Sequence, residues 1–163
     1  MMGHKTRQNA AGEWSENVGL PGTLITLLAA TTVTTDATTS TTAVTGLDTY
    51  TLATILLTVA AKTMDALTTM DVYVQYSPDA GTTWDDIAHF AQITSAAVPN
   101  GPYLLRLNGA GGLAAVDRAT TNGTLAAGTV RNISWCDRLR VQLKSANFGV
   151  GDTITLTASA FMQ

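Results

Sequence analysis

The clearest pattern in the chain is an alternation of apolar and polar residues with a period of two. Four segments alternate in this way: 50–61, 71–76, 138–144 and 153–162. One apolar face at this period is typical of antiparallel strands packed on a single core. The residues predicted to face inward are Ala53, Ile55, Leu57, Val59 and Ala61; Val72, Val74 and Tyr76; Leu139, Val141 and Leu143; and Ile154, Leu156, Ala158, Ala160 and Met162.

Weaker strand candidates fill most of the remaining chain, at 23–28, 87–93, 103–107 and 129–133. Turns rich in Gly, Pro, Asn and Asp separate the runs, and no segment has an apolar stripe at helical spacing. About eight short strands without βαβ spacing predict an all-β fold, an antiparallel β-sandwich that is jelly-roll-like. The irregular Gly- and Ala-rich stretch 109–128 is predicted to form a long loop that reaches a neighbouring subunit.

The first 19 residues differ from the rest because they are polar and show no periodicity. We predict that residues 1–19 form an extended N-terminal arm, with Trp14 as its anchor, and that residues 20–163 form one β-sandwich domain. A length of 163 residues is enough for one domain with a substantial core.

The composition of the chain indicates what kind of surface it has. Charged residues make up only 13% of the chain, Glu13 and Glu16 are the only glutamates, and threonine is heavily used. Threonine is β-branched and suits a pleated strand, so the surface is predicted to be largely sheet. Such a surface is also cheap to desolvate, which suits a face covered by a partner. Plain β propensity explains the threonine content equally well, and both interpretations stay open.

Charge and targeting signals exclude some partners. The net charge is −3 and the nine basic residues are scattered, so no nucleic-acid partner is expected. No apolar run is long enough to cross a bilayer, and the start lacks a secretory pattern, which predicts synthesis in a cytoplasm and no membrane partner. The single cysteine, Cys136, excludes an internal disulfide and is predicted to be a small core residue.

One short motif is specific. Residues 77–84 match the Asp-box pattern Ser-x-Asp-x-Gly-x-Thr-Trp at every defined position, with Ser77, Asp79, Gly81, Thr83 and Trp84. The spacing predicts a hairpin whose Asp carboxylate accepts backbone N–H bonds, whose Gly takes a positive φ, and whose Trp packs under the loop onto the core. The motif is best known from sialidases and other β-propellers, where it repeats. Here it occurs once, so we expect a structural turn without that fold or chemistry.

The remaining residues offer little for catalysis or metal binding. His4 and His89 are the only histidines, and His89 is predicted to be a strand residue with satisfied hydrogen bonds. The adjacent Asp85 and Asp86 would point to opposite faces of a strand, so they cannot flank one bond. We therefore expect no enzymatic activity and no cofactor. A calcium site at Asp79, Asp85 and Asp86 is a minor alternative.

The chain as a whole resembles the small head decoration (cement) proteins of tailed bacteriophages. The resemblance lies in the polar arm, the Thr-, Ala- and Gly-rich β body, the single hairpin 76–84 and the closing strand 153–162. It implies a structural protein of the virion, on the capsid surface, that forms trimers over the junctions of the major capsid protein lattice. An arm or loop would clamp neighbouring capsid subunits and stabilise the head.

Candidate interface residues follow from this interpretation. They are Arg7 and Trp14 in the arm, and Arg138, Arg140 and Lys144 on one face of a strand. Two alternatives remain: a tail, baseplate or fibre-associated β-domain, and a carbohydrate-binding module that uses exposed aromatic residues.

Overall fold

The computed structural model describes residues 6–8, 14–16, 22–95, 102–108, 123–131 and 135–163. All regular elements in this part of the chain are strands. The strands are β1 (Thr6–Gln8), β2 (Trp14–Glu16), β3 (Thr23–Val33), β4 (Thr38–Ser40), β5 (Leu52–Thr63), β6 (Thr69–Tyr76), β7 (Asp85–His89), β8 (Ile93–Thr94), β9 (Pro102–Asn108), β10 (Leu139–Ala146) and β11 (Thr153–Met162). No helix in the described ranges is long and apolar enough to cross a membrane.

Two antiparallel sheets pack against each other, which confirms the predicted β-sandwich. Sheet I has the strand order β3-β11-β5-β9, and sheet II has the order β4-β10-β6-β7, with β8 also paired to β6. The pairs β3–β11, β4–β10, β5–β9 and β6–β7 are nested in the sequence around the β6–β7 turn. This nesting is the topology of a jelly roll: one long hairpin rolled up so that its strands alternate between two sheets. The Asp-box turn is the tip of that hairpin.

The N-terminal strands stand apart from the sandwich. Strand β1 pairs antiparallel with β2 in a separate two-stranded sheet, with Arg7 opposite Ser15 and Gln8 opposite Trp14. Most of the predicted arm, residues 1–5, 9–13 and 17–21, lies outside the described residues, so its predicted extended form is not tested.

The core lies between the sheets, and most residues predicted to face inward are there. Those of β11 are all buried, as are Val72 and Val74 of β6 and Val141 of β10. Burying one such aliphatic side chain contributes about 1.5–3 kcal/mol, so these residues account for much of the driving force for folding. Of the weaker strand candidates, 129–133 is not a strand in its described part: Val130 forms one isolated bridge to Ala88.

Ala61 corrects one prediction, because it is exposed although it was predicted to face inward. In the pairing of β5 with β11, Thr155 lies opposite Ala61 and Leu156 lies opposite Val59, which leaves Ala60 as an extra residue. Such a β-bulge reverses the alternation beyond it, since side chains change faces with every residue. The next residue, Lys62, reaches the carbonyl oxygen of Thr94 at 2.6 Å.

Cys136 corrects a second prediction, since it is exposed and is not a core residue. Its neighbour Trp135 takes the inward position, with 1% of its surface exposed and its indole N–H donating to the carbonyl of Leu47 at 3.2 Å. Cys136 follows with a φ of 57°, in a tight turn that directs it to the surface.

Candidate functional site

The Asp-box turn between β6 and β7 has the hydrogen bonds that its sequence predicts. The Asp79 carboxylate accepts from the backbone N–H of Thr83 at 2.7 Å and from its hydroxyl at 2.9 Å. The Ser77 hydroxyl donates to Asp79 at 3.0 Å and accepts from the N–H of Gly81 at 2.6 Å. Gly81 has a φ of 100°, which favours glycine. The Thr83 N–H bond is the main cause that lowers the pKa of Asp79, so the turn holds a carboxylate.

Trp84 lies outside the core, which corrects the prediction that its ring packs under the loop onto the core. Its indole N–H donates to the carbonyl of Gly81 at 3.1 Å. The guanidinium of Arg140 lies over the ring, with its central carbon 4.1 Å from the ring centre. Arg140 also donates from Nε to the side-chain oxygen of Gln75 at 2.9 Å. A cation–π contact and a hydrogen bond therefore fix both side chains on the outer face of sheet II.

Asp86 is a fully buried carboxylate on this same face, next to the hairpin. One oxygen accepts from the Gln75 amide at 2.8 Å and the N–H of Gly123 at 3.0 Å. The other oxygen accepts from the N–H groups of Thr124 at 2.9 Å and Leu125 at 3.0 Å. Four donors satisfy a group that would otherwise be costly to bury. Asp86 thus binds the segment 123–125 to the sheet from 37 or more residues away.

His89 forms the second attachment of this segment. One ring nitrogen lies 2.7 Å from the carbonyl of Leu125, and the other lies 3.1 Å from the carboxylate of Asp71. The ring stacks on Tyr73 with a centroid distance of 4.0 Å. The predicted role of His89, a strand residue with satisfied hydrogen bonds, is confirmed.

The ionisation of the groups beside His89 reflects this packing. Partial burial raises the pKa of Asp71, but hydrogen bonds from His89 and Gln92 outweigh it and leave that pKa below its usual value. Burial, together with the nearby Asp71 and Asp86, raises the pKa of Tyr73 to about 12. Asp71 therefore stays a carboxylate and Tyr73 a neutral phenol at neutral pH.

Residues 123–131 continue along the edge of β7. The N–H of His89 donates to the carbonyl of Thr129 at 2.9 Å, and the N–H of Arg131 donates to the carbonyl of Ile87 at 2.8 Å. We call residues 123–131 the latch segment. The predicted loop 109–128 was expected to reach a neighbouring subunit, but its described part, residues 123–128, folds back onto its own sheet. Residues 109–122 lie outside the described residues.

The remaining candidate interface residues occupy separate places. Arg138 lies beside the Asp-box turn and contacts Asp137 at 3.3 Å, whereas Lys144 is exposed near the other end of β10, opposite Asp71 in β6. Gln142, on the same outward face of β10, is buried beneath the latch segment. Arg7 and Trp14 lie in β1 and β2, and their side chains are outside the described part of the structure.

The structure does not bring the three aspartates of the calcium alternative together. Asp79 closes its own turn, while Asp86 faces the latch segment. Within the described ranges, no three His, Cys, Asp or Glu side chains are grouped so that they could hold a metal ion. In the same ranges, every buried side-chain nitrogen or oxygen has a hydrogen-bond partner. The polar network on sheet II is thus self-contained, and it presents Trp84, Arg138 and Lys144 on a fixed frame.

The sequence pointed to the hairpin and to the basic residues of β10, but it did not identify the Asp86 network. The available signal was weak: two adjacent aspartates in a strand and an Asn-Gly turn far along the chain at Gly123. No protein-family model and no curated protein matches this chain.

Proposed function

We propose that this protein is a non-enzymatic structural protein of a phage virion, a decoration protein that binds the major capsid protein through the outer face of sheet II. The observation that carries the proposal is the Trp84–Arg140 pair, held beside the Asp-box hairpin by Gly81 and Gln75. Trp and Arg are the residue types that most often dominate protein–protein binding energy.

The rigidity of this face supports a binding role. Arg140 loses most of its rotamer freedom within the folded monomer, because Gln75 and the Trp84 ring fix its position. Fixing a long side chain at an interface costs about 0.5–1.5 kcal/mol of conformational entropy. In Arg140 much of this entropy is already lost when the monomer folds, so binding loses less of it. The half-exposed Arg138 and exposed Lys144 lie at either end of the strand, where rim charges steer an approaching partner.

The capsid as partner rests on the resemblance of the sequence to decoration proteins, and the jelly roll is compatible with it, since virion proteins often use that fold. The function would be mechanical. Each copy adds contact area across capsid subunits, and many weak contacts on one shell act together. Anchoring of the latch segment by Asp86 and His89 suits a part that must keep its shape under load.

The carbohydrate-binding alternative has less support than the protein-binding one. A glycan-binding platform needs an aromatic face open to a sugar ring, but Arg140 covers one face of Trp84 and Trp135 is 1% exposed. A tail or baseplate protein would use the same face of sheet II. Only the identity of the partner, a tail component or the major capsid protein, distinguishes that role from capsid decoration.

The test is a binding titration of the purified protein on phage heads that lack it, with purified tails as a second ligand. The double variant R138E/K144E should bind heads at least about tenfold more weakly than the wild type, because both charges reverse at the contact. The matched control is Leu67→Glu, which adds a carboxylate at a residue that is 78% exposed in the turn between β5 and β6 and should change the Kd by less than about threefold. Trp84→Ala should also weaken binding. Binding to tails alone, or equal binding by all variants, would overturn the proposal.

A further inference from the structure

The outer face of sheet I is almost uncharged. The four strands β3, β5, β9 and β11 contain no acidic residue and two basic ones, Lys62 and Arg106. Lys62 bonds to the carbonyls of Thr94 and Ser95. Arg106 is exposed on β9, at the edge of the sheet.

Five large apolar side chains form a band across one end of this face. They are Leu24 (72% exposed), Leu52 (46%), Leu56 (38%), Leu104 (60%) and Phe161 (39%). The strand register groups the five residues around Thr54. Leu24 pairs with Phe161, Leu56 pairs with Leu104, and Thr54 lies between Phe161 and Arg106. Single exposed apolar residues are ordinary, but a contiguous band on a flat sheet marks an interaction site.

We propose that this band, with the threonine surface beside it, binds the same face of a second copy of the chain. The charge distribution selects this partner. The chain carries a net charge of −3, yet its acidic residues lie outside the four strands of sheet I. Two identical acidic proteins repel each other unless they meet through a face without carboxylates, and sheet I provides that face.

The size of the face also suits a pair. Four strands about 4.8 Å apart and ten residues long, at about 3.3 Å per residue, give a face of roughly 600 Å². Two such faces bury about 1,200 Å² in total, which is the lower end of the range for specific interfaces. Identical faces meet through a two-fold axis. Arg106 lies opposite Thr54 on the edge strand β9, where its long side chain can carry the guanidinium out to water at the rim. The pair would thus be a two-fold dimer, in contrast to the trimer that the resemblance implies.

The first test measures the mass of the full-length protein by sedimentation equilibrium over a range of concentrations. The wild type should reach twice the chain mass of 17.0 kDa. The variant L56D/L104D should stay monomeric, with dimerisation weakened about 100-fold or more, because carboxylates would be buried without partners. The matched control is Leu67→Asp, a leucine that is 78% exposed in the turn between β5 and β6 and should leave the dimer intact.

A mixing experiment separates self-association from misfolding and from other partners. The variant L56K/L104K should also be monomeric alone, whereas its mixture with L56D/L104D should form a dimer with one copy of each. A wild type that is monomeric throughout, a dimer unaffected by L56D/L104D, or a mixture that fails to pair would overturn the inference. These measurements use no phage heads, so they succeed or fail independently of the proposed capsid binding.

Discussion

The two outer faces of this sandwich differ in the side chains that they carry. The outer face of sheet I is made of threonine, alanine and a few leucines, with no acidic residue on any of its four strands. The outer face of sheet II carries four polar side chains that are held by hydrogen bonds. Asp86 bonds to Gln75 and to the latch segment, His89 bonds to Asp71, and Arg140 bonds to Gln75.

The difference separates two ways of preparing a surface for contact. A threonine and leucine face needs little energy to lose its water, so it suits a broad contact with low directional demand. A polar network uses hydrogen bonds within the monomer to fix a few side chains. Such a face suits a contact that requires these side chains at defined positions. On this account, stability should be sensitive to substitution on sheet II and tolerant on sheet I.

The largest loss of stability is expected at Asp86. Asp86→Ala would leave the buried N–H of Gly123 and the partly buried N–H groups of Thr124 and Leu125 without their acceptor, and should cost about 3–5 kcal/mol. Urea unfolding measures this, with the exposed Asp48→Ala as the matched control, which should change stability by less than about 0.5 kcal/mol. A small loss at Asp86 would mean that the network does not hold the latch segment.

A smaller loss is expected at Gly123, which has a φ of 73° and lies so close to Gln142 that a Cβ would be 2.8 Å from its side-chain oxygen. Gly123→Ala should cost about 2 kcal/mol, from backbone strain and from displacement of Gln142. Gly128→Ala provides the control, since it has the same φ but no atom within 4 Å of the added Cβ, and should cost only about 1 kcal/mol. Equal losses in thermal unfolding would show that the contact with Gln142 contributes nothing.

The stability of the fold should also depend on pH in a defined direction. Asp71, Asp79 and Asp152 have pKa values below their usual range, with the Thr68 hydroxyl as the main cause for Asp152. Carboxyls whose pKa is lower in the folded state stabilise it above their unfolded pKa of about 3.9, and this contribution is lost as pH falls through the folded-state values. Urea midpoints measured between pH 7 and pH 2 should therefore fall below about pH 4. In Asp152→Asn the fall should be shallower, and an unchanged slope would contradict the assignment.

The smallest effect is expected on sheet I. Thr157→Val, on the outer face of β11, keeps the branched shape of the side chain and should change stability by less than about 0.5 kcal/mol. The same variant should bind heads as the wild type does. A loss of more than about 1 kcal/mol in urea unfolding would show that this face is as finely fitted as sheet II.

The alternating strands were predictable because one physical pattern dominates each of them. Ile154, Leu156 and Met162 are buried as their period requires, and the Asp79 turn follows from a motif whose hydrogen bonds are local. The errors came from features that local pattern does not encode. A bulge at Ala60 turned Ala61 outward, and the tight turn after Trp135 turned Cys136 outward.

The candidate site was predictable only in part, for a related reason. Arg138, Arg140 and Lys144 were predicted to share an outward face. The backbone donors to Asp86, however, lie 37 to 39 residues away, in a stretch without periodicity. Tertiary packing decides which loop covers which sheet. The residue types in 123–125 do not indicate that their backbone N–H groups donate to a buried carboxylate. For the same reason, the alternation in β10 gives no sign that the latch segment buries Gln142.

The most direct test of the central claim, that the two faces have different tasks, is a cryo-electron microscopy reconstruction of heads decorated with this protein. We expect Trp84, Arg138 and Lys144 to face the capsid shell, and Leu56 and Leu104 to lie between two copies of the protein. A reconstruction with the outer face of sheet I on the shell and the Asp-box hairpin pointing away from it would contradict the account.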